Sequence, residues 1–307
     1  MSKPAPHGWL ILDKPRGLGS TQAVGAVKRV LREAGYGKVK VGHGGTLDPL
    51  AEGVLPIALG EATKLAGRML ESDKVYAFTV KFGEQTDTLD TEGPVIATSD
   101  GRPTLAQVEA VLPQFTGPIE QAPPMYSAIK VDGQRAYDLA RAGQDVEMKL
   151  RAVTIHDLTV SQERGDGELD EVTLIAHVSK GTYIRSLARD IARTLGTVGH
   201  VTYLHRTKAG PFTDNQAISL DLLNEIGKGA PLNDHLLPLE AGLDGIPALS
   251  LNPESAQAVR QGRVVSGLPL ADGLCLATLD AVPVALMEIS DGMATVVRGF
   301  NLPDTAE

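Results

Sequence analysis

The stretch Val41-Gly42-His43-Gly44-Gly45-Thr46-Leu47-Asp48-Pro49-Leu50 packs three glycines around one histidine and delivers one carboxylate to the mouth of an apolar run, Val54 to Leu59. Glycine reaches backbone conformations closed to other residues and lets a second backbone or a ligand come close. Pro49 disfavours the helical region for Asp48 and drives it to extended or turn geometry. The stretch therefore reads as a device that holds one acid in one place at the start of a buried strand. Taken alone, such a turn is commonly structural, its Asp bonded to its own backbone, so the rest of the chain must decide.

Towards the N-terminus, Gly8 to Leu12 predicts a short buried strand stopped by Asp13-Lys14-Pro15. Ser20 or Thr21 can cap a helix that buries Val24, Val27 and Leu31. Beyond the motif, Glu61 to Leu70 suits a helix, and Val75 to Phe82 alternates as a half-buried strand. Gly83 to Gly93 reads as a loop, where Asp87 and Asp90 suggest only a weak cation site, lacking the EF-hand spacing. Thr104 with Gln107 is a capping box opening the helix Leu105 to Leu112. A short helical stretch is expected at Ala136 to Arg141, and Val153–Val160 with Val172–Val178, joined through Gly165-Asp166-Gly167, as an antiparallel pair. Gly181 to Leu195 is the next helix, with Arg185 and Arg189 off its apolar face, and Val198 to Leu204 returns as a strand. After Pro247, one helix, Pro253 to Gln261, and three short strands within Leu274 to Val297 predict a small barrel.

The chain of 307 residues has room for a large and a small domain, and its single cysteine, Cys275, excludes an internal disulfide and any multi-cysteine zinc site. With no early run resembling a signal peptide and none able to span a bilayer, a cytoplasmic protein without membrane contact is expected. The net charge of −9 is uneven: from Thr213 onward thirteen acidic residues face four basic ones, so the first 212 residues hold twenty-five of each sign. Within those, Lys180 to Phe212 carries six Lys or Arg against Asp190 alone, and Lys28, Arg29, Arg32, Lys38 and Lys40 are opposed only by Glu33. Local patches, not the total, set the field that a phosphate backbone feels, although charge runs are also ordinary solvated faces.

A carboxylate held in a cleft can be a general base, a metal ligand or a nucleophile. His43 and Asp48 are the only close ligand types and the other histidines are scattered, so no metal is expected. The Lys-Ser/Thr pair of a P-loop and the Gly-x-Ser-x-Gly elbow are both missing. What remains is a carboxylate working without metal or small-molecule cofactor beside basic patches and tyrosines, which fits chemistry on a nucleic acid.

The run Gly42 to Pro56 closely resembles the active-site motif of the bacterial tRNA pseudouridine-55 synthases, the TruB family. Further matches follow in order: Leu12-Asp13-Lys14-Pro15-x-Gly17, Gly60-x-x-Thr63-Lys64, Lys74-x-Tyr76, Gln121-x-Pro123-Pro124-x-Tyr126-Ser127-Ala128-x-Lys130, Arg135-Ala136-Tyr137 and Ser179 to Arg185. The resemblance implies a mixed α/β catalytic domain with a largely antiparallel central sheet and flanking helices over 1–246, then a small β-rich PUA-like domain over 247–307. It implies a monomeric isomerase of the T-loop uridine of tRNA, with Asp48 as nucleophile on a flipped-out nucleotide. A carboxylate can act there by attacking the sugar C1′, by attacking the base C6 or by assisting a glycal route. By the same resemblance, Tyr76 stacks on the uracil and can act as a base, and Arg185 pairs with Asp48. His43 fills the space of the flipped base, Tyr183 and Leu204 line the pocket, and Lys64 and Lys130 meet phosphate or brace the loop. The alternative from another class is a non-catalytic RNA-binding or RNA-chaperone protein using the same cleft.

Overall fold

The computed structural model describes residues 2–127, 130–131, 134–135, 148–161, 167–267 and 271–303. A ten-stranded sheet organises the first 240 or so residues. Its strands are β1 Gly8–Lys14, β2 Val41–His43, β3 Glu52–Leu59, β4 Lys74–Phe82, β5 Gly117–Gln121, β6 Arg151–Val160, β7 Glu171–Val178, β8 Gly199–Ala209, β9 Phe212–Thr213 and β10 Leu236–Leu237. They run in the order β10-β1-β3-β8-β4-β7-β6-β5, with β2 on β3 and β9 on β8. All neighbours pair antiparallel except β3 and β8, which meet in parallel at His205↔Glu52 and Arg206↔Gly53. The expected α/β class with a largely antiparallel sheet is what the chain adopts.

One sheet face carries α1 Ser20–Glu33 and α2 Ile184–Thr194, whose Val27, Val30, Leu187 and Ile191 close over Leu10, Leu55, Phe78 and Val80. The opposite face of β1 and β3 is also buried. Trp9, Ile11, Val54 and Ala58 join Leu276, Leu286 and Phe300 of the C-terminal part in a second core, and Trp9 Nε1 donates to the Leu239 carbonyl at 3.0 Å. Burial on both faces explains why β1 and β3 read as continuous apolar runs rather than alternating ones. The C-terminal five-stranded sheet comprises β11 Ala248–Ser250, β12 Val265–Ser266, β13 Gly273–Leu279, β14 Val282–Ser290 and β15 Met293–Gly299 in the order β11-β13-β14-β15-β12. It is the small β-rich unit expected, ordered as an open path rather than a ring.

Four local expectations change. The N-cap of α1 is Gly19, whose N–H is taken by the Gln22 side chain at 2.8 Å, because the Ser20 hydroxyl is engaged elsewhere. Glu61 to Leu70 splits into a 3₁₀ turn, Gly60–Leu65, and a short α-helix, Ala66–Glu71. The loop after Phe82 contains a strand, Glu84–Thr86, paired with Val95–Thr98. The helix carrying Arg185 begins only at Ile184, since Tyr183 sits in extended geometry as its N-cap. The capping box at Thr104 and Gln107 forms, and β6 and β7 pair antiparallel. The helix expected at Ala136 to Arg141 and part of the Gly165-Asp166-Gly167 connection lie outside the described residues.

Candidate active site

The motif is a bridge between β2 and β3, and its glycines are not equivalent. A Cβ on Gly44 would sit 2.6 Å from Met69 Cβ, and Gly45 holds φ +137°, so both positions need glycine. A side chain at Gly42 would meet open space.

Three polar anchors then suspend Asp48. The Ser20 hydroxyl accepts from Leu47 N–H at 2.8 Å and donates to the Leu47 carbonyl at 2.9 Å. Arg206, fully buried on β8, donates to the carbonyls of Val54 at 2.8 Å, Gly45 at 3.1 Å and Thr46 at 3.3 Å. On the far side, Gly17 N–H donates to the Pro49 carbonyl at 2.7 Å, while the buried Lys14 ammonium donates to the carbonyls of Leu18 at 2.6 Å and Pro15 at 3.0 Å. Burial pushes the Lys14 ammonium down to about 8. None of these anchors was assigned its role from sequence: Ser20 was read as a cap and Arg206 as a surface charge. Ser20→Ala leaves both polar groups of the buried Leu47 backbone without their partner, so unfolding in urea is expected to show a loss of about 1–3 kcal/mol.

Above the motif opens a cavity of about 300 Å³ lined by Asp48, Lys74, Tyr76, Tyr183, Arg185, Leu204 and Arg206 among others. Five of the sequence-nominated residues, Asp48, Tyr76, Tyr183, Arg185 and Leu204, thus come together from β4, β8, α2 and the motif. Arg185 Nη2 lies 2.7 Å from Asp48 Oδ2; the arginine side chain is 5% exposed and the aspartate 37%. Helical spacing alone put Arg185 off the apolar face of its helix and the resemblance implied its pairing with Asp48; its guanidinium is fully engaged. It also donates to the carbonyls of Thr88 at 2.9 Å and Tyr126 at 3.0 Å, and its Nη1 lies 3.5 Å from Asp90 Oδ2.

Asp90 entered the sequence reading only as half of a weak cation site and was not nominated as a site residue. It is buried behind Arg185, whose guanidinium it faces, and accepts from Thr88 Oγ1 at 2.6 Å and from Glu92 N–H at 2.9 Å. The signal available was only a polar loop with two acids. Tyr183 is held by Gln121, whose side chain accepts from Tyr183 N–H at 2.8 Å and donates to its carbonyl at 3.1 Å. Burial, then the Asp48 charge, pushes the Tyr183 phenol up from its ordinary value. Tyr76 pairs in register with Arg206 on one side and Ala176 on the other.

His43 ends β2 and is not part of the cavity lining. It is half-buried, its Nδ1 has no hydrogen-bond partner among the described residues, and burial followed by the Arg206 charge lowers its pKa. Lys64 stands apart from the cavity: its ammonium bonds Glu61 at 2.6 Å and the Gly299 carbonyl at 2.8 Å, and Glu61 accepts from Asn301 N–H at 2.7 Å. It ties the large sheet to the small one. Lys130 lies in a two-residue strand, Lys130–Val131, paired with Gln134–Arg135. Of the basic patch after Lys180, Arg185 and Arg206 turn inward while Lys180, Arg193 and Lys208 stay exposed, and Lys28, Arg32, Lys38 and Lys40 line a second, open groove with Tyr36 and Val39.

The whole chain is similar to one group of known proteins. Residues 28–184 match the family model described as TruB family pseudouridylate synthase, N-terminal domain, and residues 185–244 match that of the tRNA pseudouridylate synthase B C-terminal domain. The tRNA pseudouridine synthase B of Novosphingobium aromaticivorans is 68% identical over 301 residues, covering 98% of this chain and 99% of that protein. That of Zymomonas mobilis is 59% identical over 297 residues, covering 97% of each. Among solved structures, a chain of a Cbf5-Nop10-Gar1 complex superposes with TM-score 0.73 at 27% identity, covering 97% of this chain and 85% of that one. A chain of an H/ACA RNP bound to a substrate RNA containing 2'-deoxyuridine superposes with TM-score 0.72 at 25% identity, covering 97% of this chain and 86% of that one.

Proposed function

The chain belongs to the TruB family of pseudouridylate synthases, and from that premise we propose that it converts the T-loop uridine at position 55 of tRNA to pseudouridine. The observation that carries this reading is the Asp48–Arg185 pair at 2.7 Å in a cavity walled by Tyr76, Tyr183 and Leu204. The reaction breaks the N1–C1′ bond, turns the uracil and forms C5–C1′; C5 loses a proton and N1 gains one, so no atom is added or removed. Asp48 acts as the nucleophile, at C1′ or C6, or by assisting a glycal route. Tyr76 stacks on the uracil and can take the C5 proton, Leu204 and Tyr183 form the walls, and Arg185 aims the carboxylate.

A uridine inside a folded loop must leave its stack to reach the cavity, at a cost of about a few kcal/mol. His43, at the end of β2 with a buried Nδ1 that has no partner among the described residues, occupies the place that the base vacates. Lys130 meets phosphate. The catalytic unit spans 1–246 and the PUA-like unit 247–307; the change of sheet between Leu237 and Ala248 supports this division. The protein acts as a monomer, and its lone cysteine fits a cytoplasmic protein. No helix among the described residues is long and apolar enough to cross a membrane.

The test is mapping of pseudouridine by mass spectrometry in tRNA treated with the purified protein, read after derivatisation because the isomerisation leaves mass unchanged. Pseudouridine at position 55 is expected. RNA binding with every uridine intact would instead favour the non-catalytic reading, for which no observation here speaks.

A further inference from the structure

Away from the cavity, three side chains far apart in sequence converge on the outer face of the large sheet. His156 lies in β6, His177 in the neighbouring β7, and Asp73 immediately before β4. The register of β6 shifts between Ile155 and Asp157; Ile155 and Leu158 are both buried while His156 and Asp157 are both exposed. Strand alternation counted back from Leu158 would turn His156 inward, and the bulge turns it outward beside His177. Both imidazoles address one atom: His156 Nε2 is 3.2 Å and His177 Nε2 3.9 Å from Asp73 Oδ2, with ring centroids 4.8 Å apart. One ligand atom from each of the three residues falls within 4.8 Å of the others. Zinc bonds of about 2.0–2.2 Å in tetrahedral geometry put neighbouring donors about 3.3–3.6 Å apart, so only a small closing movement is needed.

We propose that Asp73, His156 and His177 form a binding site for a divalent transition metal, with zinc as the ion to which two imidazoles and a carboxylate are best suited. Solvent completes the coordination. Two donors stand on paired strands and are therefore preorganised; the third belongs to the turn that leads into β4. That turn is held from its other side by the buried Lys74, which bonds the carbonyls of Met69 at 2.8 Å and Leu70 at 2.9 Å, and Lys74 and Leu70 line the cavity. A metal at Asp73 clips the turn to the sheet from outside, behind the cavity wall. The site is structural in consequence, and it stands on this geometry whether or not the RNA reading holds.

The test is calorimetric titration of the chelator-treated full chain with Zn²⁺ at neutral pH, alongside thermal unfolding with and without the metal. Saturable binding of a single Zn²⁺ per chain and a raised Tm are expected. His156→Ala, His177→Ala and Asp73→Asn should each weaken binding by about tenfold or more, and the double histidine variant should lose the Tm rise. His205→Ala is the control, because His205 is also flanked by carboxylates, Glu52 at 3.5 Å and Asp214 at 3.0 Å; it should bind as the wild type does. Asp73 and His156 are exposed, so their replacement leaves the core intact. The proposal is overturned by absence of saturable binding to the wild type, by binding that survives the double substitution, or by binding lost in His205→Ala.

Discussion

Asp48→Asn is expected to lower pseudouridine formation on a T-arm stem-loop by on the order of 10⁴–10⁶, the range seen when a residue of a covalent catalytic unit is removed, while RNA affinity stays within about threefold. The substitution keeps the shape of the side chain and removes the charge and the proposed nucleophile. The surroundings should hold: Gly45, Thr46 and Leu47 remain tied to Arg206 and Ser20, and Arg185 keeps Asp90 and the Thr88 and Tyr126 carbonyls. Single-turnover kinetics with a filter-binding isotherm on the same RNA separates the two quantities. An Asn variant that still turns over within tenfold of wild type would remove Asp48 from the chemistry. An equal fall in affinity would make it a binding residue.

Arg185→Ala carries the second large effect, and here stability and turnover both change. The guanidinium lies between two carboxylates, one open to the cavity and one buried, so its removal strips Asp90 of its cation as well as Asp48 of its partner. Breaking a buried ion pair from one side costs about 3–5 kcal/mol, because Asp90 is left with only Thr88 Oγ1 and Glu92 N–H. Urea unfolding should show that loss. Turnover should fall by about 10²-fold through a misplaced carboxylate, with kcat reduced more than KM is raised. Should Arg185→Ala fail to fold, Arg185→Lys provides the kinetic reading. It retains the charge but not the planar fork that reaches both acids and two carbonyls, so a folded protein with low kcat and near-normal KM is expected. A rise in KM alone would contradict an aiming role.

The two effects depend on different parts of what could be read in advance. Asp48 was conspicuous because Gly-rich sequence before it and Pro49 after it restrict the backbone locally, and local restriction is written in neighbouring residues. Arg185 was nominated by resemblance, while its spacing alone placed it on a solvated helix side; its burial against Asp90 depends on the loop after β4 folding back over α2. Ser20 shows the same limit. Its type and place fit a cap, and the hydroxyl was instead taken by Leu47, twenty-seven positions away.

By itself, the sequence determined the elements and their class: apolar alternation marked β4, β6 and β7, continuous apolar runs marked β1 and β3, and the order of motifs marked the family and the acid at its centre. These are properties of neighbours along the chain, where period and turn chemistry act. Only the tertiary structure decided which distant charges meet. Arg206 became a buried clamp rather than a surface charge, Asp90 a partner of Arg185 rather than a cation ligand, and Asp73, His156 and His177, scattered in sequence, one cluster. The reason is physical: a charged side chain declares its sign in the sequence, but its partner is set by strand register, a one-residue bulge and burial, and none of these follows from local pattern.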